Sequence, residues 1–222
     1  MDKDKKAAFV KRISTYVIGV LVMSFGVAMS VRANIGVAPG SMIPYAASVL
    51  SPLTYGQCTS IFHVLCMLLQ LAITRKISLQ LALQFPMAYV VGLILDIFCK
   101  LLDFGINDMW FRVVFLIAGM VIFSLGIRMM VGANILVAPA DGLALALGKK
   151  FGWPMSKAKL IFDIIVTIFT ALLTLALAGD LFIAVGVGSV ICTIGTGPII
   201  GLFTKLLPFL DFEKEKKHKT AK

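Results

Sequence analysis

Two sets of polar residues recur at one spacing in a chain that has few of them. Asn34, Pro39 and Ser41 in the first half are answered by Asn134, Pro139 and Asp141 in the second, at an offset of 139 − 39 = 100. Asparagine brings amide donors and acceptors, serine a hydroxyl and aspartate a charged acceptor. Proline favours extended backbone just before it. Such a set can hold a small polar solute, but it contains no nucleophile with a base. The chain has no HExxH, no paired cysteines and no phosphate loop, and its only histidines are His63 and His218. The chemistry is that of binding, with no enzyme activity, cofactor or metal expected.

The two sets lie in copies of one unit. Aligned without a gap from Ser24 to Pro39 against Ser124 to Pro139, ten of sixteen pairs are identical. The register continues to Ile61-Phe62 and Ile161-Phe162, and 91–102 matches 196–207 at an offset of 105. An internal repeat of this kind governs the fold.

Of the 222 residues 59% are hydrophobic and 14% charged, with mean hydropathy +0.98. Soluble domains carry roughly 25% charged residues. Apolar runs long enough to cross a bilayer, about 20 residues each, recur at 13–31, 54–73, 79–102, 110–131, 156–178 and 181–207, with Thr54 and Ser156 placed as helix caps. The net charge of +10 does not point to nucleic acid, because the basic residues flank the apolar runs. Cys58, Cys66, Cys99 and Cys192 lie inside those runs without paired spacing and read as small hydrophobes.

The expected fold is an all-α membrane protein. Six transmembrane helices form two inverted-topology three-helix repeats, each with a re-entrant loop and a half-helix. Residues 1–12 form a cytoplasmic segment, 13–102 the first repeat, 103–109 an external linker, 110–210 the second repeat and 211–222 a cytoplasmic charged tail. Three spans per repeat oblige the second to enter the membrane from the opposite side. With the N-terminus inside, 18 of the 21 Lys and Arg fall on inner segments, leaving Arg32, Lys100 and Arg112 outside, as the positive-inside rule requires. Residues 41–50 and 141–150 reach only about 15 Å as helices, half of a hydrocarbon core of about 30 Å. The stretch before each reaches the midplane if extended. Ser41 and Asp141 are then placed as N-caps, with both half-helix starts facing one central region. The competing arrangement lays these segments flat at the interface. Such helices carry a charged face, and 42–50 has no charge at all, whereas the second copy ends in Lys149-Lys150.

Other polar residues carry two readings each. Asp163 and His63 are repeat equivalents about 10 Å into their spans. Asp163 is the candidate for proton coupling, or else an i, i+4 partner of Lys159; His63 reads as a packing residue. Asp96 is expected to pair with Lys100. Arg32 and Arg128 are expected to snorkel to the surface. Gly186, Gly188, Gly195, Gly197 and Gly201 suit close helix approach, or a hinge with Pro198 as its kink.

The copies VRANIGVAPGSM and VGANILVAPADGL, each following SxG on an apolar span, resemble the AnLGxGPwD signature of the bacterial YczE/YitT-type integral membrane family. GTGPIIGLFTKLLP in the sixth span resembles that family's C-terminal region. The resemblance runs from about Val17 to Pro208. Gly40-Ser41 replaces the usual Trp-Asp in the first copy, and Ala140 replaces the Trp in the second. It implies a multispan cytoplasmic-membrane protein without a settled substrate.

The leading reading is a transporter or exporter of a small polar solute, bound by Asn34, Pro39, Ser41, Asn134, Pro139 and Asp141. The alternative is a non-transporting accessory protein that scaffolds partners, with the lysines of 214–219 as a contact. The lipid bilayer is the expected surrounding, nucleic acid is not a partner, and homo-oligomer formation is left open. The protein should reside in the cell membrane with both termini cytoplasmic. Tags at either end should be protected in right-side-out vesicles; labelling of one from outside contradicts the inverted arrangement.

Overall fold

The computed structural model describes residues 3–180, 183 and 185–210, without the side chains of 3–8, 155, 156 and 209. Among these residues all regular structure is helical: α1 Lys3–Ala33, α2 Pro39–Leu50, α3 Tyr55–Thr74, α4 Leu79–Leu101, α5 Met109–Ala133, α6 Pro139–Phe151, α7 Met155–Ala178, α8 Val187–Leu206 and a 3-10 turn at Pro208–Leu210. Six of the helices (all but α2 and α6) are long and apolar enough to cross a membrane. The chain is therefore a multi-pass membrane protein in contact with the bilayer.

Several boundaries differ from expectation. Residues 3–12 are helical and extend α1 ahead of its apolar run. The short helices begin two residues earlier than the sequence suggests, at Pro39 and Pro139, because proline is well suited to the first helical turn. Thr54 forms a capping box with Gln57 at the start of α3. The cap of α7 is Pro154, not Ser156, and makes no side-chain bond. The tail at 211–222 and the expected sixth-span start at Leu181 lie outside the described residues. Two of the second-half helices, α6 and α7, repeat the first-half starts: 139 − 39 and 155 − 55 are both 100.

The centre of the bundle is the crossing of α1 and α5. Glycines let the two backbones meet. A Cβ on Gly26 would collide with the backbone of Phe123, and one on Gly126 with the backbone of Met23, its repeat equivalent. Gly19 faces Met129 while Gly119 faces Met29. As numbers rise along α1 they fall along α5, so the two equivalent helices run antiparallel through reciprocal contacts. Ser24 and Ser124 are both fully buried there.

The remaining packing also exchanges between halves. α1 packs on α4 and α5 on α8; α2 packs on α3 and α6 on α7; α3 holds α6 and α7 holds α2. Each short helix is thus wedged between α3 and α7, with Ala46 and Ala144 completely buried. One pairing breaks the pattern. α3 and α4 are zipped together where Gly56 meets Gly92, Ser60 donates to the Ala88 carbonyl at 3.1 Å, and Asp96 accepts from the Thr54 hydroxyl at 2.6 Å and Gly56 N–H at 2.7 Å. Asp96 therefore serves the N-terminus of α3, where an anion is favoured, and not Lys100. The equivalent positions in α7 and α8 are Ser156, Leu160, Gly197 and Gly201, and α7 and α8 scarcely touch.

Gly26→Val should cost about 1–3 kcal/mol as an overpacked contact, whereas Gly201→Ala, with nothing within 4 Å of its Cβ position, should be neutral or slightly stabilising. Thermal unfolding of the two purified variants checks the contrast.

Candidate functional site

The motif loops end one helix and begin another. Asn34 and Asn134 both adopt left-handed backbone, φ 51° and 48°, a conformation asparagine tolerates better than most residues. They stop α1 and α5 at equivalent points. Each loop is then held by the opposite half. Val37 N–H donates to Ser189 Oγ at 3.1 Å, and Gly188 N–H to the Ile35 carbonyl at 2.8 Å. In the second loop Gln84 Nε2 donates to the Val137 carbonyl at 2.8 Å. Gln84 and Ser189 are themselves equivalents, 189 − 84 = 105, so α4 and α8 each latch the other half's loop. Gly36, at φ 123° with Ser189 pressed against it, needs to be glycine; Leu136 takes its place in the second loop. Arg12 closes the end of α5 by donating to the Ala133 and Asn134 carbonyls.

The loops deliver the first turns of α2 and α6 to one place. Ala38 and Ala138 are the N-caps and make no side-chain cap bond. Ser41 and Asp141 are consequently first-turn residues and not the caps expected from sequence. Both first turns line a single cavity of about 220 Å³. Its walls are built from repeat equivalents: Met23 with Phe123, Val27 with Ile127, Ala38 with Ala138, Gly40 with Ala140, Ser41 with Asp141, Thr59 with Lys159 and His63 with Asp163 at offset 100, then Val91 with Thr196 and Leu95 with Ile200 at offset 105. Pro39 and Tyr55 complete it.

The cavity is symmetric in shape and lopsided in charge. The first half contributes Ser41, Thr59 and His63. The second contributes Asp141, Lys159 and Asp163 at the same positions. Lys159 Nζ lies 2.9 Å from Asp141 and 3.0 Å from Asp163, so one ammonium serves two carboxylates. The i, i+4 pair with Asp163 is present, but it is half of a three-residue cluster that reaches α6. Opposite, His63 Nδ1 is sealed from solvent without a hydrogen-bond partner.

Four of the expected solute ligands, Pro39, Ser41, Asp141 and Pro139, lie at the half-helix starts. Pro139 borders a small adjoining hollow with His63 and Gln84. Asn34 and Asn134 do not line the central cavity, because the left-handed turn sends them to the helix ends. Asn34 Oδ1 instead accepts from the Tyr45 hydroxyl at 2.6 Å, and Asn34 and Tyr45 line a separate open cleft of about 900 Å³ that also contains Arg32 and Asp103. Tyr45 meets Tyr55 edge-on with ring centroids 6.5 Å apart. This tyrosine pair separates the cleft from the cavity.

Of the two arginines expected to snorkel, Arg32 reaches an exposed partner and Arg128 does not reach the surface. Arg32 pairs with Asp103 at 3.1 Å and donates to the Phe104 carbonyl. Arg128 is buried, donating to the Leu207 carbonyl at 3.2 Å, where a cation suits a helix C-terminus. Gly186 and Gly188 pack on the Ile35 carbonyl and Gly195 on Met120, while Gly197 and Gly201 face open space. Sequence reasoning missed Tyr45, Tyr55, Gln84 and Ser189. The offset of 105 already aligned the last two; the tyrosines have no aromatic counterpart in the second half and left no repeat signal.

The chain matches, over residues 10–205, the model of a family described as a family of unknown function, DUF6198, and belongs to it. No curated protein and no solved structure matches the chain.

Lys159→Met should lower the unfolding midpoint more than Asp141→Asn or Asp163→Asn, because it strands two carboxylates where each acid variant leaves one good pair. Adding Asp163→Asn to Lys159→Met should recover part of the loss. Equal effects of all three single variants would contradict a shared ammonium.

Proposed function

We propose that the protein is a membrane transporter or exporter of a small polar solute, built as two inverted-topology repeats whose short helices are re-entrant. The observation that carries this reading is the central cavity: nine pairs of equivalent residues line it, and the α1–α5 crossing beside it is antiparallel and reciprocal. A site on such an axis keeps the same walls when the halves trade conformations, which is the arrangement recurrent in secondary transporters. The burial of α2 and α6 between α3 and α7 favours re-entrance over a flat interfacial position. Non-helical backbone at membrane depth must be buried in protein or line a cavity; in the first loop Gly36 and Val37 are buried, and Ala38 and Ala138 line the central cavity. The resemblance of the motifs to the YczE/YitT-type family belongs to the same reading.

The halves also differ in packing. α3 and α4 are closed by Gly56, Gly92 and Asp96, while α7 and α8 stand apart. Above the cavity, Tyr45 and Tyr55 bar the way to the cleft. In this reading the alternate state closes α7 on α8 and releases Tyr45 from Asn34. Asp163 is the proton carrier: neutralising it frees Lys159 for Asp141 alone and changes the charge of the cavity by one unit.

The test is a cross-link. Leu160 and Gly197 are the equivalents of Ser60 and Gly92. In a background lacking the four native cysteines, Leu160→Cys with Gly197→Cys should form a disulfide slowly in membranes, at a rate altered by Asp163→Asn. Ser60→Cys with Ala88→Cys should form one rapidly and without that dependence. If the first pair never closes while the second does, alternation between the halves is wrong and the accessory-protein reading takes its place.

A further inference from the structure

The turn that joins α6 to α7 carries a cluster of lysines and rings that takes no part in the central cavity. We propose that this turn binds one anionic phospholipid, with its phosphate between Lys150 and Lys157 and an acyl chain along the face of α7 that begins at Leu160. The site is separate from the cavity and does not depend on how the cavity is used.

The turn holds its rings and ammoniums in place. Gly152 ends α6 in left-handed backbone, φ 68°, and Trp153 N–H donates to the Gly148 carbonyl at 2.8 Å. The indole stacks on Phe151, with ring centroids 4.8 Å apart and planes at 22°. Lys150 Nζ lies 5.9 Å from the Phe151 centroid and Lys157 Nζ 5.3 Å from that of Trp153, each over its ring. Such contacts position an ammonium, which still has N–H donors to offer an acceptor. Neither lysine, nor the neighbouring Lys149, pairs with an acid among the described residues, and all three are exposed. Two uncompensated ammoniums held in advance suit an anion, because less ordering is left to be done on binding. The positive-inside rule accounts for lysines at this end, but not for their seats on stacked rings. At the same positions the first half has Leu50, Ser51, Leu53 and Gln57. Among the described residues no cation lies over Trp110, at the start of α5.

The apolar part of the site follows α7. Its membrane-crossing stretch begins at Lys157, so the cluster sits where the bilayer meets water. Lys157, Leu160, Ile164 and Ile168 are spaced to share one helix face, and all are exposed. From Lys157 to Ile168 the rise is about 16 Å, the depth of one leaflet of a core of about 30 Å. Leu160 is the twin of Ser60, which fastens α3 to α4. α8 scarcely touches α7, so an acyl chain can cover on α7 the side that α4 covers on α3. A basic headgroup site continuous with an apolar face one leaflet deep fits a phospholipid and not a soluble anion.

The chain's two tryptophans, Trp110 and Trp153, can each be read alone. The purified full chain with Trp110→Phe is reconstituted in phosphatidylcholine vesicles. A fraction of the lipid is then replaced by phosphatidylglycerol or phosphatidylcholine with brominated acyl chains, which quench tryptophan on contact. Brominated phosphatidylglycerol should quench Trp153 with about tenfold higher apparent affinity than brominated phosphatidylcholine, as two lysines near an anionic headgroup provide. With Trp153→Phe, the remaining Trp110 should show no such preference. Lys150→Gln and Lys157→Gln should each cut the preference about threefold, whereas Lys149→Gln, whose ammonium lies over no ring, should leave it nearly unchanged. Moving the reporter to the α7 face, with Trp110→Phe, Trp153→Phe and Ile164→Trp, should keep the preference and its loss in Lys150→Gln. Equal losses from all three lysine variants indicate a diffuse positive surface and overturn the site, as does a preference that Trp110 shares. A preference at Trp153 with none at Ile164→Trp overturns the phospholipid in favour of a headgroup contact alone. No preference at Trp153 overturns the proposal outright.

Discussion

The close crossing of α1 and α5 is the contact on which the rest depends. Lipid tails are as apolar as leucine, so helices in a membrane gain little from hydrophobicity when they associate; tight backbone approach and dispersion must do it. Gly26 and Gly126 each meet the backbone of the other helix, and no side chain could be added to either without moving it. Because the contact is reciprocal, it fixes where both halves sit. The ends of α1 and α5 are then set, so the left-handed Asn34 and Asn134 release their loops at matching places, and Pro39 and Pro139 start the short helices facing a shared space. The cavity is a consequence of this crossing and not a separate feature added to it.

Much of this was legible in the sequence. The offset of 100 carries Gly26/Gly126, Asn34/Asn134 and Pro39/Pro139 because backbone requirements are strict: close approach needs glycine, a left-handed helix end tolerates asparagine, and a first turn accepts proline. The same register places Ser41 and Asp141 at equivalent helix starts, and both line one cavity; His63, expected as a packing residue, lines it too. What escaped was side-chain direction. An amide at that depth invites a polar partner, yet Asn34 and Asn134 end helices, and a residue that ends a helix points where its φ sends it. Asp96 and Arg128 were assigned by neighbours in sequence, Lys100 and the surface, whereas Asp96 serves the start of α3 and Arg128 the end of α8. Helix termini are the strongest nearby partial charges in an apolar interior, and a one-dimensional reading does not reveal which terminus lies within reach.

The repeat has kept its geometry while its chemistry diverged. Positions 41, 59 and 63 and their equivalents 141, 159 and 163 line one cavity, neutral in the first half and charged in the second. Had both halves carried the acids and the lysine, like charges would oppose one another in a low-dielectric space. Had neither, the cavity would be lined by neutral polar groups such as Ser41, Thr59 and His63, with no charge at either helix start. Concentrating the charge in one half allows Lys159 to compensate two acids locally and leaves the α2 start unanswered.

The loops explain how such a site can stay coupled to the rest of the bundle. Each is held at its Val by a polar side chain from the opposite half, Ser189 for Val37 and Gln84 for Val137. Movement of α8 therefore displaces the loop that positions α2, and α2 carries Tyr45, whose hydroxyl is fastened to Asn34 at the base of that same loop. The helix that lacks a zipped partner, α8, is thus mechanically joined to the tyrosine that separates the open cleft from the cavity. α4, fixed on α3 by Gly92 and Asp96, holds the other loop still. The bond from Ser189 joins α8 to one loop and the bond from Gln84 joins α4 to the other, so the position of each loop depends on a helix of the opposite half.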